Sequence, residues 1–143
     1  MSVRDILADK GHDIFCISKD AKLREAISLL NEKNIGVVLV TDQGGKLAGV
    51  LSERDVIRRS LAQETGFRDE QVTKFMTQDV TTVTPEASVD EVMCIMTNSK
   101  IRHVPVLEGG DIKGLVSIGD VVKRKIADAE NEANMMREYI ATG

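Results

Sequence analysis

Gly49-Val50-Leu51-Ser52-Glu53-Arg54-Asp55 is echoed by Gly114-Leu115-Val116-Ser117-Ile118-Gly119-Asp120. Each copy reads glycine, two apolar residues, serine, two further residues and aspartate. An apolar run entering Ser-x-x-Asp marks a strand that turns straight into a helix, because serine and aspartate at that spacing satisfy free amides of a first helical turn. Outward from these stretches the match continues. Residues 17–35 align with 83–101 at a constant offset, with three extra residues around Lys10-Gly11-His12 in the first copy and one fewer in a loop of the second. A period of about 66 residues is too long for a solenoid repeat and reads as duplication of a small domain.

Both copies predict the same elements in the same order. A short helical stretch (3–9 or 72–76) precedes a strand (14–18 or 80–84). An amphipathic helix follows, with Leu23, Ala26, Ile27 and Leu30 in one copy and Val89, Val92, Met93 and Met96 in the other at helical spacing. Ser88 and Glu91 form a capping-box pattern at the start of the second of these. Two strands (37–41 and 46–51, or 103–107 and 111–116) flank Asp42-Gln43-Gly44-Gly45 and Glu108-Gly109-Gly110, whose glycines suit the positive φ of tight turns. A helix then starts at Ser52 or Ser117. The fold class is α/β: two βαββα-type units, 3–61 and 72–126, joined by a polar linker at 62–71 and followed by a helical extension at 127–143. A unit of about 60 residues is marginal alone, so the two are expected to pack together. In the last helix Val122, Ile126, Ala129, Ala133, Met136 and Ile140 form a heptad-like seam. It either docks on the chain's own core or contacts a second subunit.

Composition narrows the function. The formal net charge is −4 and Tyr139 is the single tyrosine, with no tryptophan, so neither a basic footprint nor a stacking platform for nucleic acid is present, although Arg54, Arg58 and Arg59 form a small basic patch. No apolar run reaches the roughly 18–20 residues that span a bilayer, and no apolar segment of a signal peptide follows Met1. Cys16 and Cys94 lie in different copies and are expected to be buried, reduced residues of a cytoplasmic protein. There is no Gly-x-Ser-x-Gly elbow, Walker loop, Cys-x-x-Cys or His-Glu-x-x-His, and two histidines are too few for most zinc sites. Neither catalytic residues nor metal ligands are expected.

The duplicated unit resembles the cystathionine-β-synthase (CBS) domain, which occurs in tandem pairs. The resemblance rests on the two Ser-x-x-Asp endings, on Ile101-Arg102-His103-Val104-Pro105-Val106, on Thr82-Val83-Thr84-Pro85, and on the openings Val3-Arg4-Asp5-Ile6-Leu7 and Val72-Thr73-Lys74-Phe75-Met76. It extends to about Ile126, and the end around Arg137-Glu138-Tyr139-Ile140 is similar to that of small bacterial proteins of this type. It implies two units related by a pseudo-two-fold, with small sheets face to face and two clefts between them. Those clefts would take adenosine-containing ligands such as AMP, ADP, ATP, S-adenosylmethionine or NAD(H). It further implies a disc-like homodimer of two pairs that reports energy or redox state to a partner.

The residues support such a ligand chemically. Asp120 can accept from both hydroxyls of a ribose. The helix start at Ser117 offers amides and the positive end of a helix dipole to phosphate, and Arg102 and His103 can add charge-assisted bonds. Backbone around Thr82, Val83 and Thr84 can read the adenine edge, with Val89, Val104 and Pro105 against its faces. In the first unit Ser52 and Asp55 match Ser117 and Asp120, Ser18 matches Thr84, and Leu23 matches Val89. Asn34, Ile35 and Gly36 would border that pocket, and its strand supplies no phosphate charge. By the family's symmetry Arg54 would reach a neighbouring phosphate; otherwise it is a solvated helix-start arginine. His12 reads as a loop residue, and either Ser-x-x-Asp can equally be only a helix cap. AMP and NAD(H) lead as ligands, ADP and ATP follow, and S-adenosylmethionine fits less well beside Arg102 and His103. The alternatives are an assembly module using the last helix with little ligand dependence, and a nucleotide-processing enzyme.

Overall fold

A computed structural model describes residues 1–61 and 66–142; four residues of the expected linker, 62–65, and Gly143 at the end of the expected extension lie outside the described residues. The chain runs α1 (Val3–Lys10), β1 (Cys16–Ser18), α2 (Leu23–Lys33), β2 (Val37–Thr41), β3 (Leu47–Ser52), α3 (Glu53–Leu61), two 3-10 turns (Phe67–Asp69 and Val72–Lys74), α4 (Val89–Ser99), β4 (His103–Glu108), β5 (Asp111–Ser117) and α5 (Ile118–Thr142). β1 runs parallel to β2, which pairs antiparallel with β3; β4 and β5 form an antiparallel pair. The hairpin glycines Gly45, Gly109 and Gly110 take φ of 77°, 60° and 85°, the left-handed region where a side chain is penalised.

The strand expected at 80–84 shrinks to a single parallel bridge between Val83 and Val106. Proline explains it. In the first unit the Leu39 amide donates to the Phe15 carbonyl at 2.9 Å, holding β1 on β2. The residue matching Leu39 is Pro105, which has no N–H to give to Thr81. The ladder therefore keeps only the Val83 amide to Pro105 carbonyl (3.1 Å) and Leu107 amide to Val83 carbonyl (2.9 Å) bonds. The helical stretch expected at 72–76 is a 3-10 turn rather than an α-helix.

The opening segments are exchanged between the units. Val3, Ile6 and Leu7 of α1 pack with Val83, Val89, Val92, Met96, Val104, Val106 and Val116 of the second unit. Val72, Phe75 and Met76 pack with Leu23, Ala26, Leu30, Val38, Val40 and Leu51 of the first. Matching backbone bonds fix both exchanges: the Val3 amide donates to Ala87 at 2.8 Å, and the Val72 amide to Ala21 at 2.9 Å. Each core is thus completed by the other unit's start, which ties the halves together more firmly than surface docking of two small domains.

The exchange also accounts for the glycine that opens each repeated stretch. A Cβ on Gly114 would lie 2.6 Å from Leu7 Cδ2, and one on Gly49 would lie 2.6 Å from Met76 Sδ and 2.8 Å from the Thr77 carbonyl oxygen. Both glycines sit on strands where the exchanged segment crosses, and their role is close approach rather than ligand contact.

The expected burial of the cysteines is corrected, and one of the two readings of the last helix is excluded. Cys16 and Cys94 are free thiols exposed at the surface. Cys16 lies on a strand whose middle residue alone is half-buried, and Cys94 lies between the inward positions Val92 and Met96 of α4. The seam of α5 does not dock on the chain's own core: Val122, Ile126, Met136 and Ile140 are 48%, 54%, 59% and 73% exposed. The core side of this helix is instead Val121, 1% exposed.

Candidate nucleotide cleft

A cleft of about 510 Å³ opens between the units, within the ~300–1,000 Å³ usual for small-molecule sites. Its wall takes Ser52, Arg54, Asp55 and Arg58 from the end of β3 and the start of α3, and Lys100, Ile101, Arg102 and His103 from the turn before β4. Gly36 and Val37, the counterparts of Arg102 and His103, also line it, as do Val50, Thr77, Asp79, Val80 and Thr81. The cleft therefore joins the Ser-x-x-Asp of the first unit to the Arg-His pair of the second, whereas the sequence reading placed Arg102 and His103 with Ser117 and Asp120.

The backbone explains the juxtaposition. The first amide of α3 (Glu53) donates to the Gly36 carbonyl at 2.9 Å, and the first amide of α5 (Ile118) donates to the Arg102 carbonyl at 2.8 Å. Each helix start is clipped to the residue just before β2 or β4 of its own unit, and Val37 faces Ser52 as His103 faces Ser117.

Both helix starts are closed capping boxes. The Ser52 amide donates to Asp55 Oδ2 (3.0 Å) and the Asp55 amide to Ser52 Oγ (3.1 Å); the Ser117 amide donates to Asp120 Oδ2 (2.8 Å) and the Asp120 amide to Ser117 Oγ (3.2 Å). With Glu53 and Ile118 also engaged, these amides are not open donors for phosphate, contrary to the expectation at Ser117. Positive charge in the cleft comes from side chains instead, alongside the carboxylates of Glu53, Asp55 and Asp79. Arg54, Arg58, Lys100 and Arg102 are all exposed on its wall, and none forms an ion pair with another described residue. Asp55 keeps Oδ1 outside the capping box.

The two carboxylates differ in their surroundings. Asp120 Oδ2 also accepts from Lys10 Nζ at 2.7 Å. Burial alone would raise the Asp120 carboxyl, but the Lys10 and Ser117 bonds together hold it below the usual aspartate range. Lys10 reaches this place because the first unit's three-residue insertion redirects the chain. In the first unit the Thr77 amide donates to the Val50 carbonyl (2.8 Å); at the matching Leu115 carbonyl the donor is Lys10 Nζ, also at 2.8 Å. His12, expected as a loop residue, donates from Nδ1 to the Lys113 carbonyl at 2.7 Å and anchors the same insertion on β5. Burial, then the charge of Lys10, push His103 below the ordinary histidine value despite the opposing pull of Asp120.

The remaining sequence candidates lie as follows. Val104, Leu23 and Val89 are core residues, 0%, 0% and 3% exposed, and Val83 and Pro105 are buried beside them. Ser18, Asn34 and Thr84 are exposed, and Thr82 and Ile35 half-buried, all outside this cleft wall. Lys100, Thr81 and Val50 on this wall are not among the sequence candidates, and Arg58 figures there only as part of a basic patch. Lys100 was detectable: it is the counterpart of Asn34, and both end a helix with φ near 53–54°, a conformation uncommon outside glycine and asparagine.

A family profile described as "CBS domain" matches residues 3–62 and again 72–126. The chain belongs to the CBS domain family. Its tandem pair is similar to the CBS domain-containing protein CBSX3, mitochondrial, of Arabidopsis thaliana, 31% identical over 99% of this chain and 73% of that protein. A crystal structure of a CBS-domain-containing protein from Agrobacterium tumefaciens shares 37% identity and superposes with a TM-score of 0.83, covering 87% of this chain and 99% of the other. The CBS pair solved in complex with 5′-methylthioadenosine and S-adenosyl-L-methionine is 26% identical, with a TM-score of 0.76 over 90% and 98% of the two chains. CBS pairs are regulatory modules that bind adenosine ligands. No helix among the described residues of this pair is long and apolar enough to cross a membrane.

Proposed function

We propose that this CBS pair is a non-catalytic regulatory module that binds an adenine nucleotide in the inter-unit cleft and signals its occupancy as a homodimer. One observation carries the reading: Asp55 shares a single cleft with four cations, Arg54, Arg58, Lys100 and Arg102, that form no ion pair among the described residues. A carboxylate oxygen outside the capping box accepts from a ribose diol, and the guanidinium groups take the phosphates in charge-assisted bonds. Thr81, whose carbonyl lacks a ladder partner at Pro105, faces the base, with Val50, Val80 and Ile101 as apolar surface. AMP and NAD(H) fit best, followed by ADP and ATP. S-adenosylmethionine carries a sulfonium cation that these side chains repel, in contrast to the related pair solved with that ligand.

Isothermal titration with AMP, NAD, ADP, ATP, adenosine and S-adenosylmethionine tests the proposal. Anionic nucleotides are expected to bind more tightly than adenosine and S-adenosylmethionine. Absence of binding by every nucleotide, or preference for S-adenosylmethionine, overturns it.

The Lys10–Asp120 pair makes the second position unequal. A ligand diol there has to displace Lys10 from the carboxylate. Wild-type protein is expected to bind one AMP per chain, and Lys10→Met to bind two, because Asp120 is freed while its capping box stays intact. A titration stoichiometry of one in both proteins removes Lys10 as the cause of the asymmetry.

A further inference from the structure

α5 is 25 residues long, and its last part lies at the surface. Every residue from Ala129 to Ala141 is exposed. A helical segment of that length is marginal alone in water, yet this one carries Ala129, Ala133, Met136 and Ile140 in continuation of the exposed Val122 and Ile126. The spacing is that of a coiled-coil seam. Charges flank the seam in blocks: Lys123 and Lys125 near its start, Glu130 and Glu132 one heptad later. Among the described residues no ion pair engages Lys123, Glu130 or Glu132, while Lys125 reaches Asp90 Oδ1 at 2.8 Å.

We propose that α5 pairs antiparallel with α5 of a second copy of this chain, with Ile126 packed against the partner's Ala129. In this register Val122 faces the partner's Ala133, and Met136 faces the partner's Gly119, so each layer sets a large residue against a small one. The same register sets Lys123 beside the partner's Glu130 and Lys125 beside the partner's Glu132, and the two-fold repeats both pairs. A parallel, in-register pair also finds opposite charges. However, it stacks alanine on alanine at 129 and 133 between the larger Ile126 and Met136 layers, leaving voids that close packing disfavours. The inference rests on the dimeric part of the proposed function and not on the nucleotide.

The test uses the full chain with Cys16→Ser and Cys94→Ser, spin-labelled at Asn134→Cys or Ala141→Cys, two positions on the same outer face of α5. With a rise of 1.5 Å per residue, antiparallel pairing separates the labels along the axis by about 20 Å at 134 and about 40 Å at 141. Parallel pairing gives equal, short distances at both sites and overturns the proposal. Light scattering is expected to show a dimer for the wild type and a monomer for Ile126→Asp, a substitution at a solvent-exposed residue that leaves the cleft untouched. A monomeric wild type, or an Ile126→Asp variant that stays dimeric, overturns it as well. AMP titration on the same samples separates the outcomes: a chain that binds AMP with the wrong helix geometry loses only this inference, and one that dimerises as expected without binding AMP loses only the ligand.

Discussion

Gly49→Val is expected to destabilise the protein by about 3 kcal/mol, at the upper end of what overpacking a core costs. The reason is the crossing of the exchanged segment. A Cβ at this position already meets the Thr77 carbonyl oxygen at 2.8 Å, and that oxygen is held by the Val50 amide at 3.0 Å. Neither side can yield without breaking the bridge between Val50 and Thr77. Gly114→Val, the same change in the second copy, is expected to cost about 1–2 kcal/mol, because the atoms its Cβ meets most closely belong to the Leu7 side chain rather than to backbone. Urea denaturation measures both, with an unchanged slope indicating that the folded state stays compact. Equal midpoints for the two variants, or a smaller loss at Gly49, would show that the crossing segment does not set the cost.

This contrast between two glycines shows what the repeat made legible and what it concealed. Order and type of most elements followed from periodicity and from the Ser-x-x-Asp stops, since helical spacing at Leu23 to Leu30 and Val89 to Met96 is a local property. The exchange of α1 and the Val72 turn between cores is not local: Val3 and Val72 read as ordinary openings of their own units, and only their contacts reveal the swap. The shortened strand at Val83 was in principle readable, because Pro105 stands where the first unit has Leu39 and the missing N–H has one consequence. The grouping of the site was harder. Asp55 and Arg102 are far apart in sequence and in different copies, so alignment of the copies paired Asp120 with Arg102 instead. The closed caps at Ser52 and Ser117 match the reading of Ser-x-x-Asp as a helix cap, and for this reason the proposed phosphate contacts fall to arginine and lysine side chains rather than to helix amides.

Arg102→Ala is expected to weaken AMP binding about 10- to 100-fold, the loss of one charge-assisted bond of about 1.5–3 kcal/mol. Adenosine, which has no phosphate, should bind the variant as it binds the wild type. Asp55→Ala should behave differently. It removes the acceptor for the ribose, so AMP and adenosine lose affinity by a similar factor, and it opens the capping box of α3 at a stability cost of about 1 kcal/mol. The salt response separates the two further: added salt screens exposed charges, so AMP affinity in the wild type should fall with ionic strength more steeply than in Arg102→Ala. Arg102 makes no ion pair with a described residue, so its loss leaves no buried charge behind and the folded state should be unaffected. Titration of both variants with both ligands therefore reads phosphate and sugar contacts independently. If Arg102→Ala lowers adenosine and AMP affinity alike, the guanidinium supports the cleft wall rather than the phosphate, and the anion-binding role passes to Arg54, Arg58 or Lys100.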